Sequence, residues 1–212
     1  MLTDCCLLRD DITAALAAVF PSARGQSGAD WRRIDYLALG NDRQQSAHAL
    51  LAERGLWPAL QTICQDVALV STLTIGLDRP GSDLDVICQH PDPASLATRL
   101  AAQGWHGRDK GRDIWLLEQH LIGPDGQSWP IELYVTPRPI ESLHGWRHLS
   151  LMAALLEQLG IDFYRAVLAL RLAQGLKGEA AICQLLALPD DPYQGLLALE
   201  GSDLGLLHWP SP

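Results

Sequence analysis

The feature of this chain that most constrains its fold is a pair of aspartates at the start of a short apolar strand. The run Ser82-Asp83-Leu84-Asp85 leads directly into Val86-Ile87-Cys88. Because alternate side chains of a strand point to the same face, Asp83 and Asp85 direct their carboxylates to one point, while Val86 and Cys88 face the other way. We therefore expect one face of this strand to lie in a core and the other to carry a site.

Two carboxylates that converge at the end of a strand suit a hard divalent cation. Mg²⁺ is usually held in proteins by one or two carboxylates together with phosphate oxygens. A turn of small residues, Ser71 and Thr72, follows the apolar run 67–70 and precedes the aspartates in the sequence. This pattern is typical of nucleotidyl or phosphoryl transfer.

The charge balance limits the partners that the chain can attract. Its 212 residues carry a formal net charge of −9 and include no basic run. An acidic chain repels phosphate backbones at long range, which favours a small nucleotide chelated to a metal, or a protein. We expect neither a long nucleic acid nor a membrane among the partners.

The cysteines and the first residues predict a cytoplasmic protein. The five cysteines include no Cys-x-x-Cys pair, which indicates a reducing compartment rather than a disulfide framework. Asp4, Arg9 and Asp10 interrupt the apolar residues at the N-terminus, which is unlike a signal peptide. No window approaches the length and apolar character of a membrane span.

The hydrophobic pattern predicts an α+β fold with a mixed sheet rather than alternating β-α-β units. The expected strands are 67–72, 84–88, 113–122 and 129–135. The turn Gly123-Pro124-Asp125-Gly126 joins the last two as a hairpin. The expected helices are 42–55, 56–64, 91–103, 144–159, 162–175, 178–187 and 192–199.

These elements divide the chain into three parts. We expect residues 1–30 to form a loosely attached leader without visible chemistry. Residues 31–139 form the α/β core, and residues 140–212 form a C-terminal helical segment packed on that core.

The residues around the aspartates resemble a known pattern. Nucleotidyltransferases of the DNA-polymerase-β superfamily carry a Gly-Ser turn, a loop that often contains Arg-Pro, and Ser-Asp-x-Asp leading into a strand. This chain is similar to that pattern, with Ser71-Thr72 where the superfamily has Gly-Ser. More narrowly it resembles a bacterial domain-of-unknown-function family, number 4269. The residues that carry the narrower likeness are Ile34-Asp35-Tyr36-Leu37, Gly40-Asn41, Arg43-Gln44-Gln45, the stretch 78–88, Arg147-His148, Gly175-Leu176-Lys177 with Glu179, and Asp191-Pro192-Tyr193 with Leu196-Leu197.

The resemblance implies a nucleotidyltransferase-like fold and a set of site residues. It adds Glu132, on a later apolar strand, as a third carboxylate beside Asp83 and Asp85. These three would act as the catalytic ligands of Mg²⁺ or Mn²⁺, and a nucleoside triphosphate would donate its monophosphate to a small-molecule or protein acceptor. The residues expected to contact the nucleotide are Ser71, Thr72, Arg79, Ser82, His148 and Lys177.

Several of these residues also have simpler interpretations. Asp83 and Asp85 could be turn and cap residues, since Pro-Gly-Ser-Asp is favourable turn chemistry. Glu132 could face solvent beside Glu118 on the neighbouring strand. Lys177 could be a cation at a helix C-terminus, and Asp78 is expected to be a surface charge of the loop.

Two broader alternatives remain at this stage. His144 and His148 have the i, i+4 spacing of a zinc pair, but no third ligand is evident, and we favour structural roles for them. The whole chain could instead be a catalytically degenerate module of the same fold. Such a module would bind a nucleotide or a protein partner without turnover, with a toxin–antitoxin role as one form of this alternative.

Overall fold

The computed structural model describes residues 30–188 and 191–209. The leader expected over residues 1–30 therefore lies outside the described residues, except for Asp30.

A single mixed sheet forms the centre of the molecule. Its strands are Asp66–Leu69 (β1), Leu84–Gln89 (β2), His106–Gly111 (β3), Ile114–Ile122 (β4) and Ser128–Thr136 (β5). Their spatial order is β1-β2-β5-β4-β3. The β2–β5 pair is parallel and the other neighbouring pairs are antiparallel. The predicted α+β fold with a mixed sheet is confirmed.

Six α-helices lie in the described part of the chain. They are Asp42–His48 (α1), Leu56–Ile63 (α2), Pro93–Ala101 (α3), His144–Gln174 (α4), Gly178–Leu185 (α5) and Pro192–Leu197 (α6). The side chain of Asn41 accepts a hydrogen bond from Gln44 N, and the Gln44 side chain accepts one from Asn41 N. This capping box fixes the start of α1. None of the described helices is long and apolar enough to cross a bilayer.

The two faces of the sheet contribute to different cores. Val86 and Cys88 point into the core that contains side chains of α1, α2 and α3. Ile87 points the other way, into the core formed with α4, α5 and α6. Because side chains alternate along β2, Asp85 lies on the same face as Ile87. The aspartate pair therefore belongs to the face that the C-terminal helices cover.

Three elements differ from the predicted ones. β3 was not predicted, because its residues His-Gly-Arg-Asp-Lys-Gly are all exposed and have no apolar alternation; it exists as the hairpin partner of β4. The first strand ends at Leu69 rather than at residue 72, since a 3₁₀ helix begins at Thr72. The two helices predicted around Gly160 are a single long element. Within this element Gly160 has non-helical backbone angles, with φ 80° and ψ −172°.

The expectation that Asp78 is a surface charge is wrong. Its side chain is buried, and its Oδ2 accepts a hydrogen bond from Arg43 Nε at 2.7 Å. The Arg43 guanidinium also lies over the Trp129 ring, 4.2 Å from its centroid. Gln44 in α1 donates to Leu73 O at 2.9 Å, so α1 packs directly on the segment that precedes Asp78. This packing encloses a charge that the local sequence places in a loop.

Removing Arg43 should destabilise the protein, because Asp78 would stay buried without its partner. We expect Arg43→Met to lower the free energy of unfolding by roughly 2–3 kcal/mol. The double variant Arg43→Met with Asp78→Asn should recover part of that loss, because the unpaired charge is gone. Urea unfolding of the two variants and of the unaltered protein measures both effects. Equal stability of the single and double variants would contradict this account.

Candidate functional site

The parallel pairing of β2 with β5 brings two of the predicted carboxylates side by side. Asp85 lies directly opposite Glu132, and Ile87 lies opposite Tyr134. Residues in register on neighbouring strands point to the same face, so the two acids share one surface. Asp83 precedes Asp85 by two residues, at the point where the chain enters β2.

A cavity of about 1000 Å³ opens at this face of the sheet. Its wall is formed on one side by the strand ends and the loop before β2, and on the other by α4 and the start of α5. The predicted site residues on this wall are Thr72, Arg79, Ser82, Asp83, Asp85, Glu132, His148 and Lys177. Ser71 is buried and lies behind the wall.

Ser71 joins the turn to the aspartate segment. Its hydroxyl donates to Asp83 O at 2.8 Å and accepts from Leu73 N at 3.3 Å. Its backbone is in the ordinary extended region, with φ −70° and ψ 145°, so this position does not require glycine. The left-handed conformation occurs five residues later at Gly76 (φ 66°), where the Tyr164 hydroxyl donates to the Gly76 carbonyl at 2.6 Å. The difference from the Gly-Ser pattern is thus accommodated without backbone strain.

The loop between the turn and the aspartates is held by Ser82. Its Oγ accepts a hydrogen bond from Arg79 N at 3.0 Å, and its own N–H donates to Arg79 O at 2.9 Å. The Arg79 side chain extends to the end of α4, where its Nη1 is 3.2 Å from the position that a Cβ on Gly175 would occupy. One end of this short turn therefore presents carboxylates, and the other presents a guanidinium.

Asp85 is the most strongly perturbed acid of the cavity. Burial, reinforced by the negative charges of Asp83 and Glu132, raises its pKa from 3.8 to about 7. The pKa of Glu132 is also raised, first by burial and then by Asp83 and Glu118. Glu118 lies opposite Glu132 in the antiparallel β4–β5 pair, on the more exposed side of the row. The sheet therefore holds like charges close together, an arrangement that a bound cation would relieve.

The donor chemistry of these residues fits a hard divalent cation. Asp83, Asp85 and Glu132 offer only carboxylate oxygens, the ligands that Mg²⁺ and Mn²⁺ accept. Within residues 30–188 and 191–209, no three acidic, histidine or cysteine side chains are close enough as they stand to enclose a metal ion. This also applies to His144 and His148, whose rings are 5.8 Å apart.

The helical side of the cavity carries a second group of charges. His148 is buried, and its Nε2 lies 3.2 Å from Tyr193 O, where an Nε2–H can donate to the carbonyl. Its Nδ1 is 3.8 Å from Glu179 Oε1. Burial lowers the pKa of His148, against the opposing influence of Glu179. This histidine is therefore fixed in the wall by contacts with α5 and α6.

Lys177 does not end a helix. It is the N-cap residue of α5, three residues beyond the end of α4. Its interaction with the Tyr193 side chain raises its pKa, and its Nζ lies 6.0 Å from the centroid of that ring. The ammonium group thus stays charged at the rim of the cavity.

The predicted set of site residues lacks three charged residues of this wall, Arg138, Arg171 and Glu179. Glu179 belongs to the segment that carries the family likeness, which was a signal for it. Arg171 follows the buried residues Val167 and Phe163 by four and eight positions, so all three lie on one face of α4. The helical period therefore places a guanidinium on an apolar face. That placement was readable from the sequence.

Comparison with solved structures identifies the class of fold. The chain is similar to the Cid1 poly(U) polymerase, with a TM-score of 0.50 and 18% identity over 69% of this chain and 49% of the other. A second Cid1 structure, in complex with the UTP analog UMPNPP, has a TM-score of 0.49 at the same identity and coverage. The polymerase core of TRAMP, an RNA surveillance complex, covers 85% of this chain at 16% identity and a TM-score of 0.41. The fold is that of the nucleotidyltransferases, and the chain spans about half the length of the Cid1 structures.

The sequence also places the chain in a family. The family described as Domain of unknown function (DUF4269) matches residues 49–199, and the chain belongs to it. No curated protein matches the chain. The resemblance to this family is confirmed, and the likeness to the nucleotidyltransferases is confirmed for the fold.

The perturbed Asp85 should make stability depend on pH. Its pKa is higher in the folded state, so the folded protein holds this proton more tightly than the unfolded chain, and stability falls as pH rises from about 4 to about 7. Asp85→Asn removes this loss. In metal-free buffer we expect the variant to gain stability relative to the unaltered protein across that range, by up to roughly 4 kcal/mol.

Urea unfolding at a series of pH values in EDTA measures this difference. The matched control is Glu157→Gln, which neutralises an exposed carboxylate on α4. The control curve should run parallel to that of the unaltered protein. A parallel curve for Asp85→Asn as well would show that burial of Asp85 does not perturb its titration.

Proposed function

We propose that this protein is a Mg²⁺-dependent nucleotidyltransferase that moves a nucleoside monophosphate from a nucleoside triphosphate to a small-molecule or protein acceptor. The observation that carries the proposal is the register of Asp85 with Glu132, with Asp83 two residues away, on the wall of a cavity in this fold. The fold likeness to a poly(U) polymerase supports the class of reaction.

In this proposal the sheet side of the cavity holds the metal. Asp83, Asp85 and Glu132 would be its ligands, with Asp85 central because it lies between the other two along the chain and across the sheet. A bound Mg²⁺ supplies charge neutralisation for the phosphates and lowers the pKa of an acceptor hydroxyl. Its positive charge would also favour the ionised form of Asp85.

The turn and the helical side would hold the triphosphate. Thr72 lies on the cavity wall next to the turn that Ser71 ties to Asp83. Arg79 and Lys177 reach the same wall from the loop and from the start of α5. Guanidinium and ammonium groups bind phosphate oxygens through charge-assisted hydrogen bonds. The donor would thus lie with its phosphates between the acidic strand ends and the cations Arg79 and Lys177.

The chemical step is an in-line displacement at the α-phosphorus. The acceptor hydroxyl oxygen forms a bond to this phosphorus while the bond to the α–β bridging oxygen breaks, and pyrophosphate leaves. The hydroxyl proton passes to a carboxylate at the strand ends or to solvent water. His148, packed between α5 and α6, would position the helical wall rather than react.

The acceptor in this proposal is small or is a protein. The net charge of −9 disfavours long-range attraction of a nucleic-acid polymer. The cavity volume of about 1000 Å³ is large enough for a nucleotide together with part of an acceptor.

Thermal melting with ATP, GTP, CTP and UTP, each with and without Mg²⁺, tests the proposal. Saturation at about a hundred times the dissociation constant adds roughly 2.7 kcal/mol of stability, which gives a visible rise in Tm. We expect a Mg²⁺-dependent rise with at least one nucleotide. The double variant Asp83→Asn with Asp85→Asn should lose that rise while remaining folded.

Glu118→Gln is the matched control for the double variant. Glu118 lies on the same sheet face one strand beyond Glu132, and its neutralisation should leave the Mg²⁺-dependent rise in place. Pyrophosphate release with the nucleotide that binds would establish turnover. Binding without release would favour the alternative, a module of this fold that binds nucleotide without transfer, and no rise with any nucleotide would overturn the proposal.

A further inference from the structure

Arg171 is a buried cation that pairs with no acid among the described residues. It is 4% exposed, and its Nε and Nη1 atoms are buried without a hydrogen-bond partner. No ion pair joins it to any acid of the described chain; Glu179 and Asp78 influence it only from a distance. A buried guanidinium without a partner destabilises the folded state, so its presence on a cavity wall needs an explanation.

The guanidinium lies against the start of α5. A Cβ placed on Gly178, the first residue of that helix, would be 3.0 Å from Arg171 Nη1, 3.0 Å from Met152 Sδ and 3.4 Å from Thr72 Cγ2. Glycine at this position therefore lets the start of α5 pack closely against the Arg171 guanidinium, and a side chain here would push that guanidinium aside.

The start of α5 itself has unsatisfied donors. Its N-cap residue, Lys177, makes no side-chain capping hydrogen bond. The first N–H groups of a helix lack partners within the helix, and the helix dipole adds a partial positive charge there. A second guanidinium, that of Arg79, reaches the end of α4 within 3.2 Å of the Cβ position of Gly175. Positive groups from three separate segments thus surround one part of the cavity.

We propose that Arg171 and the N-terminus of α5 form an anion-binding subsite that takes a phosphate group directly, without a metal ion. The identification of this phosphate as part of a nucleoside triphosphate rests on the proposed function. The subsite itself rests on the buried guanidinium without a hydrogen-bond partner, which lies on the cavity wall, and on the uncapped start of α5 beside it. It faces the acidic strand ends across the cavity, so a polyphosphate bound there extends toward Asp83 and Asp85.

Calorimetric titration with inorganic triphosphate in EDTA tests this subsite. The unaltered protein should bind triphosphate, and Arg171→Met should bind it at least about tenfold more weakly, because a charge-assisted contact is lost. The variant should also melt at the same or a higher temperature when no ligand is present, since an unpaired buried charge is replaced by an apolar side chain of similar length. A purely structural arginine would give a lower melting temperature instead.

Two further variants keep the test decisive. Arg165→Met removes an exposed arginine of the same helix and should leave triphosphate binding unchanged. Gly178→Ala introduces a methyl group 3.0 Å from Arg171 Nη1 and should weaken binding while leaving every charge in place. Wild-type affinity in both Arg171→Met and Gly178→Ala, or no binding of triphosphate by the unaltered protein, would overturn the proposal.

The source of the phosphate is separated by the choice of ligand. Inorganic phosphate, inorganic triphosphate, the four nucleoside triphosphates and the corresponding nucleosides are compared in EDTA. Arg171-dependent binding of triphosphates but not of nucleosides supports the subsite, and tighter binding of one nucleotide than of inorganic triphosphate identifies a nucleotide as its source. Nucleoside binding that is indifferent to Arg171→Met would place the recognition elsewhere and overturn it.

Failure of this subsite and failure of the proposed transfer have different signatures. The double variant Asp83→Asn with Asp85→Asn should retain or increase triphosphate binding in EDTA, because it removes repulsion and leaves Arg171 intact. Triphosphate binding that depends on Arg171, without Mg²⁺-dependent pyrophosphate release, would support the subsite and count against the transferase. Mg²⁺-dependent pyrophosphate release that is unaffected by Arg171→Met would support the transferase and count against the subsite.

Discussion

The repulsion among three carboxylates on one sheet face is the constraint around which this structure is arranged. The parallel β2–β5 pair places Asp85 beside Glu132, and the approach to β2 adds Asp83. The first core fixes both strands from behind through Val86, Cys88, Leu133 and Val135. Because those apolar contacts set the register, the acids cannot separate by sliding along the strands. The fold is therefore less stable because it keeps the carboxylates together. This arrangement is expected of a functional site and not of residues with a purely structural role.

The turn before the aspartates is held in place by contacts from several parts of the chain. Ser71 bonds to the Asp83 carbonyl, the Tyr164 hydroxyl bonds to the Gly76 carbonyl, and Arg43 pairs with Asp78. These contacts come from the turn itself, from α4 and from α1, so both cores constrain the same loop. Such a loop can hold the acidic side chains in position before any ligand arrives, which limits the reorganisation that binding requires.

The sequence was sufficient for the fold class and for most of the strands and helices, because those elements carry strong local patterns. Val86, Cys88 and their neighbours alternate as a half-buried strand should, and the capping box at Asn41 marks the start of a helix. It was insufficient for β3, whose exposed polar residues form a strand only because β4 is adjacent. Asp78 was misassigned for a similar reason, since its burial is produced by α1, far away in the sequence.

The same distinction applies to the candidate site. The motif around Asp83 and Asp85 is contiguous, so its residues could be named from the sequence, and the resemblance supplied Glu132. The opposite wall is assembled from α4, α5 and α6, and their contacts cannot be read from local spacing. His148 contacts Glu179 and Tyr193 only through tertiary packing. Arg171 gave a local signal, a charge on an apolar helix face, but its significance depends on its close packing against the start of α5, which only the fold shows.

Three carboxylates of the cavity lie at the strand ends, while Arg171 and Lys177 lie on the helical wall together with one carboxylate, Glu179. Each group alone is unfavourable, because like charges repel on the sheet and a guanidinium is buried without a partner on the helices. Direct neutralisation of one group by the other would remove both costs, yet Arg171 and Asp85 form no ion pair in the described structure. A ligand that combines an anionic chain with a bound cation satisfies both walls at once, and a metal-chelated polyphosphate has that composition. The crowded carboxylates and the unpaired guanidinium would therefore both be satisfied by one ligand of this chemistry.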